Sequence, residues 1–273
     1  MKRALITCTL LFVIAALFGS CGRDDEVIRV GITGAFNAHW ELISRMVAEE
    51  GIVLELVSFS DFFTPNRALD EGDLDLNAFQ HKMFLANEIA NQGYAIEYIA
   101  ETFIVPLNIF NNKNRISSIE DLQDGHTIAI PGDPTNRGRS LRLLETAGLI
   151  ELETPPGENA SVLDITVFHV EINILEAESG MLAQILPDVE AAIINGGNAF
   201  TAGLNPALDS IFTEEITGDF RNDLTNVIAA RSADMVENGE RARKFRIIAA
   251  AFQSDEVRQF ILEEYGGAFI PVW

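Results

Sequence analysis

One short segment, residues 76–85 (LNAFQHKMFL), carries side chains with clear chemical capacity. Its histidine, His81, could ligate a metal, transfer a proton or orient a ligand. The other histidines of the chain are His39, His126 and His169. None of them stands at the short spacing from His81 that a metal site requires, and the Gly-x-Ser-x-Gly motif of a nucleophilic serine is absent from the sequence. The residues therefore indicate neither a metal centre nor a hydrolase triad.

Phenylalanines surround this histidine in the sequence. Phe79 and Phe84 flank it, and Phe62 and Phe63 lie upstream. Such rings could wall a pocket for an apolar ligand side chain, with His81 orienting that ligand or closing a hydrogen bond beside it. The alternative is that the same rings form the edge of a hydrophobic core, and the residues leave both interpretations open.

A second segment, residues 133–144 (DPTNRGRSLRLL), has the features of a helix start. Asp133 precedes Pro134, an order typical of an N-cap followed by proline at the first helical position. Backbone N–H groups at a helix start attract anions, and Arg139 adds a guanidinium suited to a carboxylate, with Asn136 beside it. A solvated basic helix start is the alternative. The Gly-Lys-Ser/Thr pattern of a nucleotide loop is absent.

Two asparagines stand at the ends of predicted strands. Asn195, in INGGNAF, follows a buried apolar run, and ligands of open α/β sheets collect beyond the carboxyl ends of strands. Asn226 opens a later predicted strand. Both are candidate hydrogen-bonding partners of a ligand, and both could also be ordinary turn or loop residues.

Alternating strand and helix patterns must position these side chains. Strands are predicted at 27–33, 53–59 and 74–76, and apolar residues at helical spacing predict helices between and after them. In the first helix the apolar face is formed by Trp40, Ile43 and Val47. This alternation predicts parallel sheets covered by helices, and hence an α/β fold.

The order of the elements also predicts two lobes. An unusually long extended run, residues 98–110, could carry the chain from one lobe to the other, and a strand at 226–231 could return it. The predicted lobes are residues 28–107 plus 229–273 for lobe 1 and residues 108–228 for lobe 2, with a ligand cleft between them.

The start of the chain indicates export. Residues 1–20 combine a basic start with an apolar run, as in a secretory signal peptide, and Gly-Ser precedes Cys21. This resembles a bacterial lipobox, in which Cys21 would be lipidated and residues 21–27 would form a tether. A plain cleavable signal with an incidental cysteine is the alternative.

Charge and cysteine content exclude several classes of function. Without the signal, 17 basic residues face 41 acidic ones, which disfavours nucleic-acid binding because phosphates must be neutralised by lysine and arginine. Only Cys21 remains after loss of Cys8, so neither an intramolecular disulfide nor a cysteine-rich metal site is expected. Hydrophobic residues make up 48% of the chain, enough for a packed core.

Four segments of the chain are distinctive: FSDFFTPNRALDEGDLDLNAFQHKMFL, IAIPGDPTNRGRSLRLLETAGLI, AIINGGNAFTAGLNP and TNVIAAR. Together they resemble one protein family, the methionine-binding lipoproteins of bacterial ABC importers. The resemblance spans nearly the whole mature chain. It implies a two-lobed periplasmic-binding-protein fold of type 2, an extracytoplasmic lipoprotein anchored to the membrane, and an ABC permease with its ATPase as partners. It implies no catalysis, cofactor or metal.

The resemblance also implies roles for individual residues. Arg139 would pair with the ligand's α-carboxylate, with Asn136 close by, while Asn195 and Asn226 would bind its α-amino and carboxylate groups. The implied pocket for the ligand side chain is formed by Phe62, Phe63, Phe79, His81 and Phe84. L-Methionine is the implied ligand, with D-methionine, a methionine-containing peptide or a related amino acid as alternatives.

Two other classes of function compete with an importer component. An extracytoplasmic enzyme on an α/β scaffold would need a perturbed acid–base pair, and the sequence offers no constellation for one. A surface lipoprotein for adhesion or signalling would keep the binding fold without transport.

Overall fold

The computed structural model of the protein describes residues 26–34, 37–216, 218 and 220–273. The predicted signal peptide, the predicted lipidation site Cys21 and most of the predicted tether lie outside these residues. Within them, no helix combines the length and apolar character needed to cross a membrane.

Strands and helices alternate along the described chain. The strands are β1 Glu26–Thr33, β2 Ile52–Phe59, β3 Leu76–His81, β4 Ile96–Ile104, β5 Leu107–Asn111, β6 Thr127–Pro131, β7 Ile150–Leu152, β8 Ile165–Phe168, β9 Asn173–Ala177, β10 Ala191–Asn195, β11 Ser210–Thr213, β12 Thr225–Arg231 and β13 Ile270–Pro271. The helices are α1 Ala38–Ala48, α2 Thr64–Glu71, α3 Lys82–Gln92, α4 Pro134–Thr146, α5 Leu182–Ile185, α6 Gly196–Thr201, α7 Pro206–Asp209, α8 Phe220–Asp223, α9 Glu240–Phe252 and α10 Asp255–Glu264.

The first sheet has the strand order β13-β4-β12-β3-β1-β2. β1 pairs in parallel with β2 and β3, whereas β12 runs antiparallel to β3 and β4. The apolar face predicted for α1 is confirmed, because Trp40, Ile43 and Val47 are all buried. They share one core cluster with Phe245 of α9 and Ile261 of α10, so the C-terminal helices also cover this sheet.

The second sheet has the order β11-β5-β10-β6-β9. β6 pairs in parallel with β9 and β10, and β5 runs antiparallel to β10 and β11. Ile128 and Ile193 of this sheet pack against Leu141 and Leu144 of α4 in one buried cluster. The core strands β5 and β10 are almost continuously buried, as expected where both faces of a sheet are covered.

The chain crosses between the sheets twice, which confirms the predicted two-lobed α/β fold. The first crossing is the pair of residues between Ile104, in the first sheet, and Leu107, in the second. The return lies between β11 and β12. Residues 225–228, predicted in lobe 2, instead lie in the first sheet, because their backbone pairs with β3 and β4.

The third strand differs from its prediction. It spans Leu76–His81 and not residues 74–76, so LNAFQH is itself extended and does not follow a strand. Asn77 and Gln80 of this strand are buried beside Asn66 of α2. Asn66 Nδ2 donates to Gln80 Oε1 at 2.7 Å, and Gln80 Nε2 donates back to Asn66 Oδ1 at 2.6 Å. Side-chain amides that hydrogen-bond to each other can be buried. A prediction based on hydrophobic periodicity treats such polar residues as exposed, so it missed this part of the strand.

The two lobes touch across the gap between the sheets. Gly180, between β9 and α5, lies so close to the Ser60 carbonyl oxygen that an added Cβ would overlap it. Gly34, after β1, approaches the Thr201 hydroxyl in the same way. The two lobes are therefore in contact at these two places.

Candidate ligand-binding cleft

A cavity of about 90 Å³ lies between the lobes. Thr33, His81 and Asn195 line it from the carboxyl ends of β1, β3 and β10, where ligands of open α/β sheets bind. The side chains predicted for the site that line this cavity are Phe62, Phe79, His81, Phe84, Asn136, Arg139, Asn195 and Asn226. The predicted residues of both lobes thus meet in one cleft, with the exception of Phe63.

Aromatic rings form one wall of the cleft. The ring of Phe84 lies 6.2 Å from that of Phe62 and 6.0 Å from that of Phe79, both edge to face, an arrangement that phenylalanine rings favour. Phe63 packs against the same ring at 5.9 Å, but it is 46% exposed and stands outside the cavity lining. The wall is suited to an apolar ligand side chain.

His81 joins the aromatic wall to the opposite lobe. As the N-cap of α3, its Nδ1 accepts a hydrogen bond from the backbone N–H of Phe84 at 3.1 Å. The proton of a neutral ring must then be on Nε2, which lies 3.3 Å from Asn136 Oδ1 and donates to it. Burial, reinforced by the nearby charge of Arg139, lowers the pKa of His81 to about 3. His81 is therefore a neutral donor aimed across the cleft.

Three donors converge on Asn136 Oδ1. Besides His81 Nε2, they are Arg139 Nη1 at 3.1 Å and Asn195 Nδ2 at 3.2 Å. The amide orientation is fixed because Nδ2 donates to both oxygens of Asp133, each at 3.1 Å, and Asp133 also caps α4. An amide oxygen has two lone pairs, whereas a carboxylate offers about four acceptor sites. The three donors can therefore be satisfied more fully by a bound carboxylate than by the single amide oxygen of Asn136.

Arg139 is held by an ion pair that sequence reasoning missed. Its Nε and Nη2 donate to the carboxylate oxygens of Glu214 at 3.1 and 2.5 Å, and Nη2 also donates to the carbonyl of Val105 at 3.2 Å. Together with the bond to Asn136, these contacts engage four of the five guanidinium N–H groups. Glu214 stands 75 residues away in an irregular acidic stretch, and no local pattern links the two.

The two remaining asparagines lie beside this polar wall. Asn195 is the N-cap of α6, and its buried Oδ1 accepts no hydrogen bond from the part of the chain that the structure describes. A buried acceptor without a donor costs about 1–3 kcal/mol, so this oxygen is suited to a donor on a ligand. Asn226 pairs with His81 across β12 and β3, and it lines the same cavity.

Sequence reasoning also missed the floor of the cleft. His39 is 2% exposed, and its Nδ1 lies 2.7 Å from the hydroxyl of Tyr265. Burial lowers the pKa of His39 to about 3, so the ring is neutral. A single histidine at the start of an amphipathic helix does not indicate from the sequence that its ring lines a ligand cleft. Other residues that line the cavity but were not predicted for the site include Thr33, Trp40, Gln80, Thr102, Phe103, Phe252 and Phe269.

Metal-ligand geometry is not evident in the cleft. Among the described residues, no group of three or more His, Cys, Asp or Glu side chains is placed to hold a metal ion. What the lining offers is a set of hydrogen-bond donors, with the open acceptor Asn195 Oδ1 among them, and an apolar wall of aromatic rings.

Two α/β lobes, two crossings and a cleft lined from both lobes define a periplasmic-binding protein, and this chain is one. It belongs to the NlpA lipoprotein family, whose sequence profile matches residues 28–273.

Relatives and solved structures agree with that assignment. The chain is 36% identical over 274 residues to the probable D-methionine-binding lipoprotein MetQ of Vibrio cholerae, covering 97% of this chain and 98% of that protein. The substrate-binding protein of a methionine transporter from Streptococcus pneumoniae superposes with a TM-score of 0.85 at 31% identity, over 90% of this chain and 96% of the other. A nutrient-binding protein from Burkholderia cenocepacia, bound to methionine, gives a TM-score of 0.82 at 33% identity, over 90% and 100%.

Proposed function

We propose that this protein is the substrate-binding lipoprotein of an ABC importer and that it binds a free amino acid, first of all methionine. The observation that carries the proposal is the convergence of three donors on one point, opposite a phenylalanine wall. An amino acid with an unbranched apolar side chain presents a carboxylate and an apolar group at opposite ends. The names of the relatives from Vibrio cholerae and Streptococcus pneumoniae support the same ligand and the transport role.

In this proposal each wall of the cleft has a distinct role. The ligand carboxylate takes the donors of Arg139, Asn195 and His81 that now meet at Asn136. Its ammonium group donates to Asn195 Oδ1 and to Asn226, and its side chain packs against the aromatic wall. Phe63 would support Phe84 from outside the cavity.

Micromolar binding is within reach of these contacts. Burial of a methionine-sized side chain contributes about 1.5–3 kcal/mol, and each hydrogen bond to a charged group contributes about 1.5–3 kcal/mol. Several together exceed the roughly 8 kcal/mol of micromolar binding before association and closure costs are subtracted.

The proposal places the protein outside the cytoplasm, anchored to the membrane through a lipid on Cys21, where it would deliver its ligand to a permease driven by an ATPase. The lipoprotein family and the transporter names of the relatives support these partners. The proposed role is binding without catalysis.

The direct test is identification of the bound ligand. Mild denaturation of the purified protein, followed by mass spectrometry of the released material, should yield methionine. Recovery of a metal or a nucleotide without any amino acid would overturn the proposal. Calorimetric titration of the refolded, ligand-free protein with L-methionine, D-methionine, a methionine dipeptide and norleucine would then rank the ligands by affinity. Norleucine tests the contribution of the sulfur, because it differs from methionine only in having a methylene group in that place.

The transport role has its own test. Uptake of labelled methionine should fall in cells that lack the gene and return with the wild-type protein. Unchanged uptake, in a protein that still binds methionine, would favour a surface lipoprotein that has kept the fold without transport.

A further inference from the structure

Glu214 neutralises the only charged side chain among the described residues that line the cleft. That side chain is Arg139, since both lining histidines are neutral. The side chains of Arg139 and Glu214 are only 7% and 13% exposed, so salt screens their attraction little. The carboxylate is itself fixed, because Oε2 also accepts the backbone N–H of Leu107 at 2.9 Å.

In the part of the chain that the structure describes, the other charges near the cleft do not add a positive excess. Asp133 lies behind Asn136, and its negative charge faces the N-terminal amides of α4. The charge of Lys82 is paired with Glu101, whose Oε1 lies 2.5 Å from the Lys82 Nζ. The polar wall therefore combines many donors with no net positive charge.

We propose that Glu214 is a specificity-determining residue, which cancels the charge of Arg139 so that the cleft accepts a zwitterion and discriminates against anions. The proposal rests on the amino-acid-binding function proposed above. A zwitterionic ligand carries no net charge, and the repulsion between its carboxylate and Glu214 is balanced by attraction of its ammonium group. A ligand that keeps the carboxylate and lacks the ammonium group experiences only the repulsion.

Two ligands isolate this effect. They are methionine and its 2-hydroxy analogue, 2-hydroxy-4-(methylthio)butanoate, which share the carboxylate and the thioether side chain but differ by one unit of net charge. Calorimetry would give the dissociation constant of each for the wild type and for Glu214→Gln. Unit charges a few ångströms apart in a partly buried site interact strongly enough for about a tenfold or larger change in preference. We expect the ratio of the two constants to shift by this amount toward the hydroxy analogue in Glu214→Gln.

Two further variants separate charge from geometry. Glu214→Asp keeps the charge while shortening the reach to Arg139, so it should weaken both ligands and leave their ratio near that of the wild type. Glu215→Gln removes the same formal charge from the neighbouring exposed residue and should change neither constant. Circular dichroism and thermal unfolding would verify that each variant is folded.

The outcomes are distinct. An unchanged ratio in Glu214→Gln, or equal loss of both ligands, would reduce Glu214 to a structural support for Arg139 and overturn the proposal. A shift in Glu214→Asp as large as that in Glu214→Gln would do the same, because the charge is retained there. A wild type that binds neither ligand would instead refute the proposed function.

Discussion

Acidification should destabilise the protein through its two buried histidines, and His39 provides the clearest test. Its ring is enclosed by Trp40, Phe103, Phe252 and Tyr265, at centroid distances from 5.5 to 5.9 Å. Burial lowers its pKa from 6.5 to about 3. The unfolded chain therefore binds a proton at higher pH than the folded one. The stability that depends on neutral His39 is fully present above pH 6.5 and is lost as the pH falls from 6.5 toward 3.

The magnitude follows from the width of this window. Each pH unit below 6.5 costs about 1.4 kcal/mol per histidine. Between pH 7 and pH 5 the loss is about 2 kcal/mol for His39, and about 4 kcal/mol when His81, with the same lowered pKa, is included. That is a large share of the roughly 5–15 kcal/mol that holds a typical domain folded.

The assay is urea unfolding of the ligand-free protein at pH 7 and pH 5, with tryptophan fluorescence as the signal. His39→Gln should lose about 2 kcal/mol less than the wild type over this range, whatever its stability at pH 7. His169→Gln, at a site with a 48% exposed side chain, serves as the matched control and should behave as the wild type. Burial raises the pKa of Glu88, which opposes the histidine effect, but this contribution is common to every variant. If His39→Gln lost as much stability as the wild type, the assignment of a neutral buried His39 would be wrong.

Three further substitutions probe closure, ligand contact and the ion pair. Gly180→Ala should weaken methionine binding at least about tenfold without lowering the melting temperature, since its Cβ would meet the Ser60 carbonyl only when the lobes close; unchanged calorimetric affinity would contradict this. Asn226→Ala should weaken binding by about tenfold to a hundredfold, the effect of one hydrogen bond to a charged group, and affinity equal to that of the wild type would remove Asn226 from the site. Arg139→Ala should abolish binding and also cost about 3 kcal/mol in urea unfolding, because Glu214 is left partly buried and unpaired. The double variant with Glu214→Gln should regain much of that stability, and failure to do so would refute the unpaired-charge explanation.

Local patterns predicted the secondary structure where one side of an element is apolar. The face of α1 formed by Trp40, Ile43 and Val47 is an example, because helical periodicity depends only on near neighbours in the chain. The same reasoning failed at β3, where Asn77 and Gln80 are buried against the side-chain amide of Asn66 in α2. A polar residue reads as exposed unless its partner is known, and here the partner lies 11 or 14 residues away.

The residues of the cleft were predicted unevenly for a related reason. Asp133, Asn136 and Arg139 belong to one helix start, and their spacing alone places them together. Phe63 was placed with its neighbour Phe62, yet its ring is 46% exposed and stands outside the cavity lining. Neither a short motif nor a hydrophobic pattern distinguishes the inner from the outer member of such a pair.

The sequence by itself determined the alternation of strands and helices, the start of α4 and the supply of amide, guanidinium and aromatic groups. These depend on propensity, capping and periodicity, which act over a few residues. Only the tertiary structure decided that His81 faces Asn136 across the cleft and that Glu214 neutralises Arg139. Such contacts join residues 55 and 75 positions apart. The first contact depends on how the two lobes meet and the second on how the second lobe folds, and both are set by the packing of distant parts of the chain.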